Sequence, residues 1–215
     1  EKRIPNLVQV DERFLPPLLK NPLQHGIPYI FTTLGIGYNS KQISNIPRSW
    51  SFLLDPANLQ TLNHPVIFQD EMREMMGIAM IHLGIPVDTT NRNDIERAGD
   101  CLLRCAPYLV PCESDPDDTN FVAGGIVAAI AYGGEMARDS KENPDMRFTI
   151  PDQGTLLIVD HLVIPKTARN PDAAYQLINY LLQPEIAAQV VNHCYYGTAV
   201  QNAAAYIDPS ILHSA

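Results

Sequence analysis

Gly154-Thr155-Leu156-Leu157-Ile158-Val159-Asp160-His161-Leu162-Val163-Ile164-Pro165 is an apolar, β-branched stretch that predicts a strand over residues 156–164, closed by a proline. A short gap follows, and Asn170-Pro171-Asp172-Ala173-Ala174-Tyr175 then opens a helix over residues 171–182. Pro184 cannot continue that helix, because it lacks the amide proton, and starts another over residues 184–191. Strand followed directly by helices is the unit of an α/β sheet. Asp160 is the irregularity in the strand. A carboxylate inside a run of Leu, Ile and Val costs free energy unless it is paired, so the position reads as a site residue.

The same alternation holds upstream. Pro28-Tyr29-Ile30-Phe31-Thr32-Thr33 and Gly35-Ile36-Gly37-Tyr38-Asn39 predict two short strand pieces broken by glycines. Residues 49–54 predict a short helix and residues 65–68 a strand. Met72, Met75, Met76, Ala79 and Leu83 recur at helical spacing, giving a helix over residues 70–83, with Asp70 as cap and Gly84 as stop. Residues 93–105 predict an amphipathic helix with Ile95, Ala98, Leu102 and Cys105 on its inner side. Ile126-Val127-Ala128-Ala129-Ile130-Ala131 is an unbroken apolar run, expected of a strand buried on both faces, and Gly133-Gly134 turns the chain into a further helix. Residues 147–150 predict another strand. Residues 1–27, rich in Pro and Asn, read as irregular.

At 215 residues, 46% hydrophobic and 18% charged, the chain carries enough apolar surface for a packed core. Its apolar runs fall short of the roughly 20 residues that span a bilayer. It opens Glu1-Lys2-Arg3-Ile4-Pro5 with no apolar segment behind the charges, so a targeting leader is expected to have been removed or to precede this segment. The net charge of −9, from 15 Lys and Arg against 24 Asp and Glu, argues against a nucleic-acid partner and suits a cationic ligand. Of the four cysteines, Cys101 and Cys105 share one helix face but are poorly placed to bond each other. Buried thiols are expected, and an oxidising compartment would allow a Cys105–Cys112 bridge.

Enzyme and metal signatures are missing from the sequence. The six histidines form no zinc-binding pair, no nucleophile elbow is present, and the glycines at 124–125 and 133–134 make no phosphate loop. Glu71 and Glu74, one helical turn apart, are the candidate acid/base pair of an α/β enzyme, with His161 as a further candidate. Two acids in the first turn of a helix also suit its dipole without any catalytic role. No cofactor is implied, and no metal site is expected.

The stretch from Leu156 to Pro165, running into Asn179-Tyr180-Leu181-Leu182-Gln183-Pro184-Glu185, resembles the C-terminal part of the spermidine/putrescine-binding proteins of ABC importers. Further matches occur in the same order. Ile27-Pro28-Tyr29-Ile30 through Gly35-Ile36-Gly37-Tyr38-Asn39, Asp70-Glu71-Met72-Arg73-Glu74-Met75 and Ala131-Tyr132-Gly133-Gly134-Glu135 are each similar to a family segment. The resemblance implies an α/β, periplasmic-binding-protein-like (type II) two-lobe fold, with one lobe complete and the other partial. Residues 1–34 would form part of the first lobe and the hinge crossing, residues 35–150 the second lobe, and residues 151–215 the return to the first.

By the same resemblance the chain would be a periplasmic binding module, not an enzyme. Its cleft would close on putrescine or spermidine and present it to an ABC permease in the inner membrane. Glu74 matches a carboxylate that holds a ligand ammonium, and Glu71 a second acid present in some members. Tyr132 matches a Trp that packs on the methylene chain, Glu135 the acid three residues later, and Asp160 the principal acid. Tyr196 matches a tyrosine that lines the site. Ile158 stands where the family carries Trp or Phe, so the aromatic box is thinner here. That thinning leaves another amine or a metal complex as the alternative ligand, and the absent first-lobe stretch leaves open a lobe that serves only for interaction.

Overall fold

The computed structural model describes residues 3–15, 26–62, 65–110 and 125–212. The chain forms two compact units, Thr33–Leu156 on the one hand and Glu1–Thr32 with Leu157–Ala215 on the other.

The middle unit is built on a mixed sheet. Strand β1 (Ile27–Asn39) contributes its second half, with β3 (Ala128–Tyr132) antiparallel on one side and β4 (Met146–Thr149) antiparallel on the other. Leu34 stands opposite Tyr132 and Ile36 opposite Ile130, while Asn39 faces Met146. Strand β2 (Val66–Ile67) runs parallel to β3 at its outer edge, Val66 beside Ala128. The expected apolar run is buried throughout residues 126–131, as a central strand covered on both faces requires.

The two strand pieces predicted for β1 are one continuous strand, a correction whose cause lies at Gly35. A Cβ there would come within 2.5 Å of Phe148 Cε2 and 2.7 Å of the Thr149 carbonyl oxygen. The glycine marks a close approach across the sheet, not a break in the ladder.

Helices α1 (Ser51–Leu54), α2 (Pro56–Leu62), α3 (Met72–Leu83), α4 (Arg92–Cys105) and α5 (Gly133–Glu142) complete this unit. Helix α3 begins later than predicted. Its N-cap is Glu71, which makes no side-chain cap bond, and Gly84 closes it in the left-handed region at φ 68°. Asn91 caps α4 by accepting from the Asn93 amide at 2.9 Å. The inner stripe of α4 is Ala98, Cys101 and Cys105, whereas the predicted Ile95 is 40% exposed. Both thiols are free, and burial pushes that of Cys105 up to about 11. Cys112, the other half of the bridge the sequence allowed, lies outside the described residues. Trp50 is fully buried and donates its indole N–H to the Gly154 carbonyl at 2.8 Å.

Residues 151–156, assigned from the sequence to the return segment, pack with the middle unit. Thr155 donates its hydroxyl to the Leu34 carbonyl at 2.7 Å, the Leu34 amide meets the Leu156 carbonyl, and the Asp152 amide reaches the Arg48 carbonyl at 2.8 Å.

The other unit pairs the first half of β1 with β5 (Leu157–Leu162) and with β6 (Gly197–Thr198), the latter antiparallel with Ile30 opposite Thr198. Helices α6 (Pro171–Leu181), α7 (Pro184–Cys194) and α8 (Pro209–Leu212) belong to this unit. Its core gathers Ile4, Val10, Ile27, Ile178, Leu182 and Val200. Asn170 caps α6 through the Ala173 amide at 3.1 Å, and Tyr195, at φ 64°, closes α7. The irregular start of the chain contains two short 3-10 helices, Pro5–Gln9 and Glu12–Phe14. Phe14 stacks on Phe31 with ring centroids 4.6 Å apart. Among the described residues no helix is long and apolar enough to cross a membrane.

Candidate functional site

Four of the residues singled out in the sequence fall in the middle unit. Glu74 sits in the first turn of α3, partly buried, while Glu71 at the cap is exposed. Tyr132 is both the last residue of β3 and the N-cap of α5, so the sheet register fixes its backbone opposite Leu34. Its hydroxyl donates to Glu74 Oε2 at 2.6 Å, within the range of a hydrogen bond to an ionised carboxylate. Glu135 is the acid in the first turn of α5 and is partly buried. Both carboxylates therefore lie at helix N-termini, where unsatisfied amides favour negative charge.

Two neighbours of this group carried no mark in the sequence reading. A Cβ on Gly133 would meet Thr33 Oγ1 and Phe148 Cε1, each at 3.3 Å, so that hydroxyl and that ring flank the turn after Tyr132. Sheet register was the available signal for Thr33. It precedes Leu34, the partner of Tyr132, so it must lie beside Gly133.

Ile158, Asp160 and Tyr196 belong to the other unit. Ile158 and Asp160 ride on β5, and Tyr196 immediately precedes β6, so both carrier strands flank the same half of β1. Ile158 and Tyr196 are partly buried. Asp160 is exposed, which corrects the argument that singled it out. A water-facing carboxylate bears no large desolvation cost, so burial does not mark it. Its neighbour His161 approaches the Val159 carbonyl through Nδ1 at 2.9 Å. A carbonyl only accepts, so Nδ1 carries the proton, and the buried Nε2 has no hydrogen-bond partner among the described residues.

Glu74 is thus engaged with a tyrosine from the neighbouring strand. Among the described residues no three His, Cys, Asp or Glu side chains converge as metal ligands. What the middle unit offers is a carboxylate bonded to a tyrosine, with a second carboxylate in the first turn of the helix that follows. That chemistry suits a cation on an apolar stem.

The sequence matches the family model of the bacterial extracellular solute-binding proteins over residues 3–210, and the chain belongs to that family. Among its relatives, the putrescine-binding periplasmic protein SpuD of Pseudomonas aeruginosa is 31% identical over 79% of this chain and 50% of its own length. The putrescine-binding periplasmic protein PotF of Escherichia coli is 31% identical over 86% of this chain and 55% of its own. The solved structure of a putative spermidine/putrescine ABC transporter from Listeria monocytogenes superposes with a TM-score of 0.87 at 30% identity, covering 98% of this chain and 64% of the other. The fold is therefore the α/β fold of these binding proteins, and the chain spans only about half to two thirds of the length of its relatives.

Proposed function

We propose that the chain carries ligand-binding residues of a periplasmic polyamine-binding protein, which presents a cationic ligand such as putrescine or spermidine to an ABC permease in the inner membrane. The observation that carries this reading is the pairing of Tyr132 with Glu74 at 2.6 Å, in a chain about 30% identical to proteins named for putrescine binding. A polyamine is a flexible apolar rod with ammonium groups along it. It is recognised by carboxylates set apart, with aromatic surface for the methylenes. Glu74, Glu135 and Asp160 are the proposed anions, and Tyr132 and Tyr196 the proposed aromatic surfaces. Ile158 contributes apolar contact, and Glu71 a longer-range negative field. A charge-assisted hydrogen bond nets about 1.5–3 kcal/mol.

Calorimetric titration with putrescine, spermidine and spermine tests the reading. Heat from at least one polyamine, and an Asp160→Asn variant at least about tenfold weaker, are expected. No heat from any of the three would refute polyamine binding, and unchanged affinity in Asp160→Asn would remove that residue from the site.

A further inference from the structure

We propose that the hydroxyl of Tyr132 is a positioning group for Glu74, and that this pair, not the aromatic ring alone, sets which diamine length is preferred. The inference rests on the polyamine reading and goes beyond it, because a ring that merely packs on methylenes needs no hydroxyl.

Both ends of the bond are anchored by backbone. Tyr132 ends a strand whose residues 128–131 are buried and whose register against β1 is fixed through Leu34. Glu74 is held by the first turn of α3, which seats Met75 and Ile78 in the core directly after it. A free glutamate samples many rotamers and surrenders that freedom when it binds a cation. The 2.6 Å bond removes much of the search in advance, since one carboxylate oxygen is already committed to a group that the sheet holds in place. Prior ordering of this kind raises affinity without adding a contact. It also raises selectivity. A diamine is measured by the separation of its two ends, and a fixed carboxylate accepts fewer separations than a mobile one. A tryptophan at residue 132 supplies a larger ring and no phenol, so the tyrosine gives this chain a different means of discrimination.

Calorimetry on the full chain with putrescine and cadaverine, for wild type, Tyr132→Phe, Glu74→Gln and the double variant, tests the proposal. Tyr132→Phe keeps the ring. It should bind putrescine about tenfold more weakly, about 1.4 kcal/mol, and its putrescine-to-cadaverine affinity ratio should move toward one. In the Glu74→Gln background the same change should have little further effect. Wild-type affinity and ratio in Tyr132→Phe, or an equal loss in both backgrounds, overturns the positioning role while leaving polyamine binding intact. A wild-type chain that binds neither diamine overturns the functional reading and this inference together. Glu74→Asp provides a second route that leaves Tyr132 untouched. The shortened carboxylate withdraws from the phenol, so the ratio should narrow in the same way, and an unchanged ratio overturns the proposal.

Discussion

Replacing Gly35 by alanine should destabilise the middle unit by about 3 kcal/mol, the upper end of ordinary overpacking costs. The new Cβ would stand 2.5 Å from Phe148 Cε2 and 2.7 Å from the Thr149 carbonyl oxygen, where relaxed carbon contacts need about 3.5–4.0 Å. Neither neighbour can retreat freely. Phe148 also reaches the position of a Gly133 Cβ at 3.3 Å, and Thr149 is a ladder residue opposite Ile36. At a few degrees per kcal/mol, the loss lowers the melting temperature by on the order of 10 °C. Trp50, the only tryptophan in the chain and fully buried in this unit, reports the transition by fluorescence during urea unfolding. Phe148→Ala should relieve part of the clash, so the double variant should cost less than the sum of the singles. A Gly35→Ala protein within about 0.5 kcal/mol of wild type, the scale of an unremarkable surface change, would refute the claim that Phe148 lies closed across this strand.

Two further outcomes concern titratable groups. Burial lowers the pKa of His82, with Asp55 opposing and Arg104 reinforcing the shift, and its Nδ1 is buried without a hydrogen-bond partner among the described residues. The unfolded chain then binds the proton more readily, so stability should fall as pH drops below the ordinary histidine value near 6.5. Urea midpoints measured from pH 7.5 to 5.0 should show that slope, and His82→Leu should flatten it. An unchanged slope would place the acid sensitivity elsewhere. Cys105, its thiol pushed up to about 11 from an ordinary 9.0, should hold about a hundredfold less thiolate than an open cysteine at pH 8. Iodoacetamide labelling read by peptide mass spectrometry should therefore be slow at Cys105 in the folded chain and fast in urea, and rapid labelling before unfolding would contradict its burial.

The alternation of strands and helices was legible because each element carries its own period. The apolar run at residues 126–131 and the helices begun by Pro171 and Pro184 need no partner to be recognised. The errors arose where tertiary contact overrides a local signal. Gly35 reads as a breaker in one dimension, and only the ring of Phe148, more than a hundred positions later, makes it a required close approach. Ile95 fits the helical period of α4 as well as Cys101 does, but the actual inner stripe runs through Ala98, Cys101 and Cys105, which periodicity alone could not choose. Residues 151–156 follow a predicted strand and so read as the start of a new segment. Hydrogen bonds to Leu34, Arg48 and Trp50 tie them to what came before.

The candidate site divides by the same logic. Asp160 stood out because its sequence neighbours are apolar, yet apolar neighbours along a strand do not bury a residue, and the carboxylate is exposed. Its claim to a ligand role therefore depends on resemblance, which is why Asp160→Asn has to be measured. Glu74 and Tyr132 had weaker marks, one being an acid in a helical turn and the other an aromatic at a strand end. Their 2.6 Å bond is visible only once α3 and β3 are side by side. A binding site for a flexible cation needs charges whose positions the fold dictates, and charge position comes from long-range contacts, not from local composition. Within the candidate site the residue most worth mutating is accordingly Tyr132, whose partner carboxylate lies fifty-eight positions away in sequence and is brought to it only by the fold.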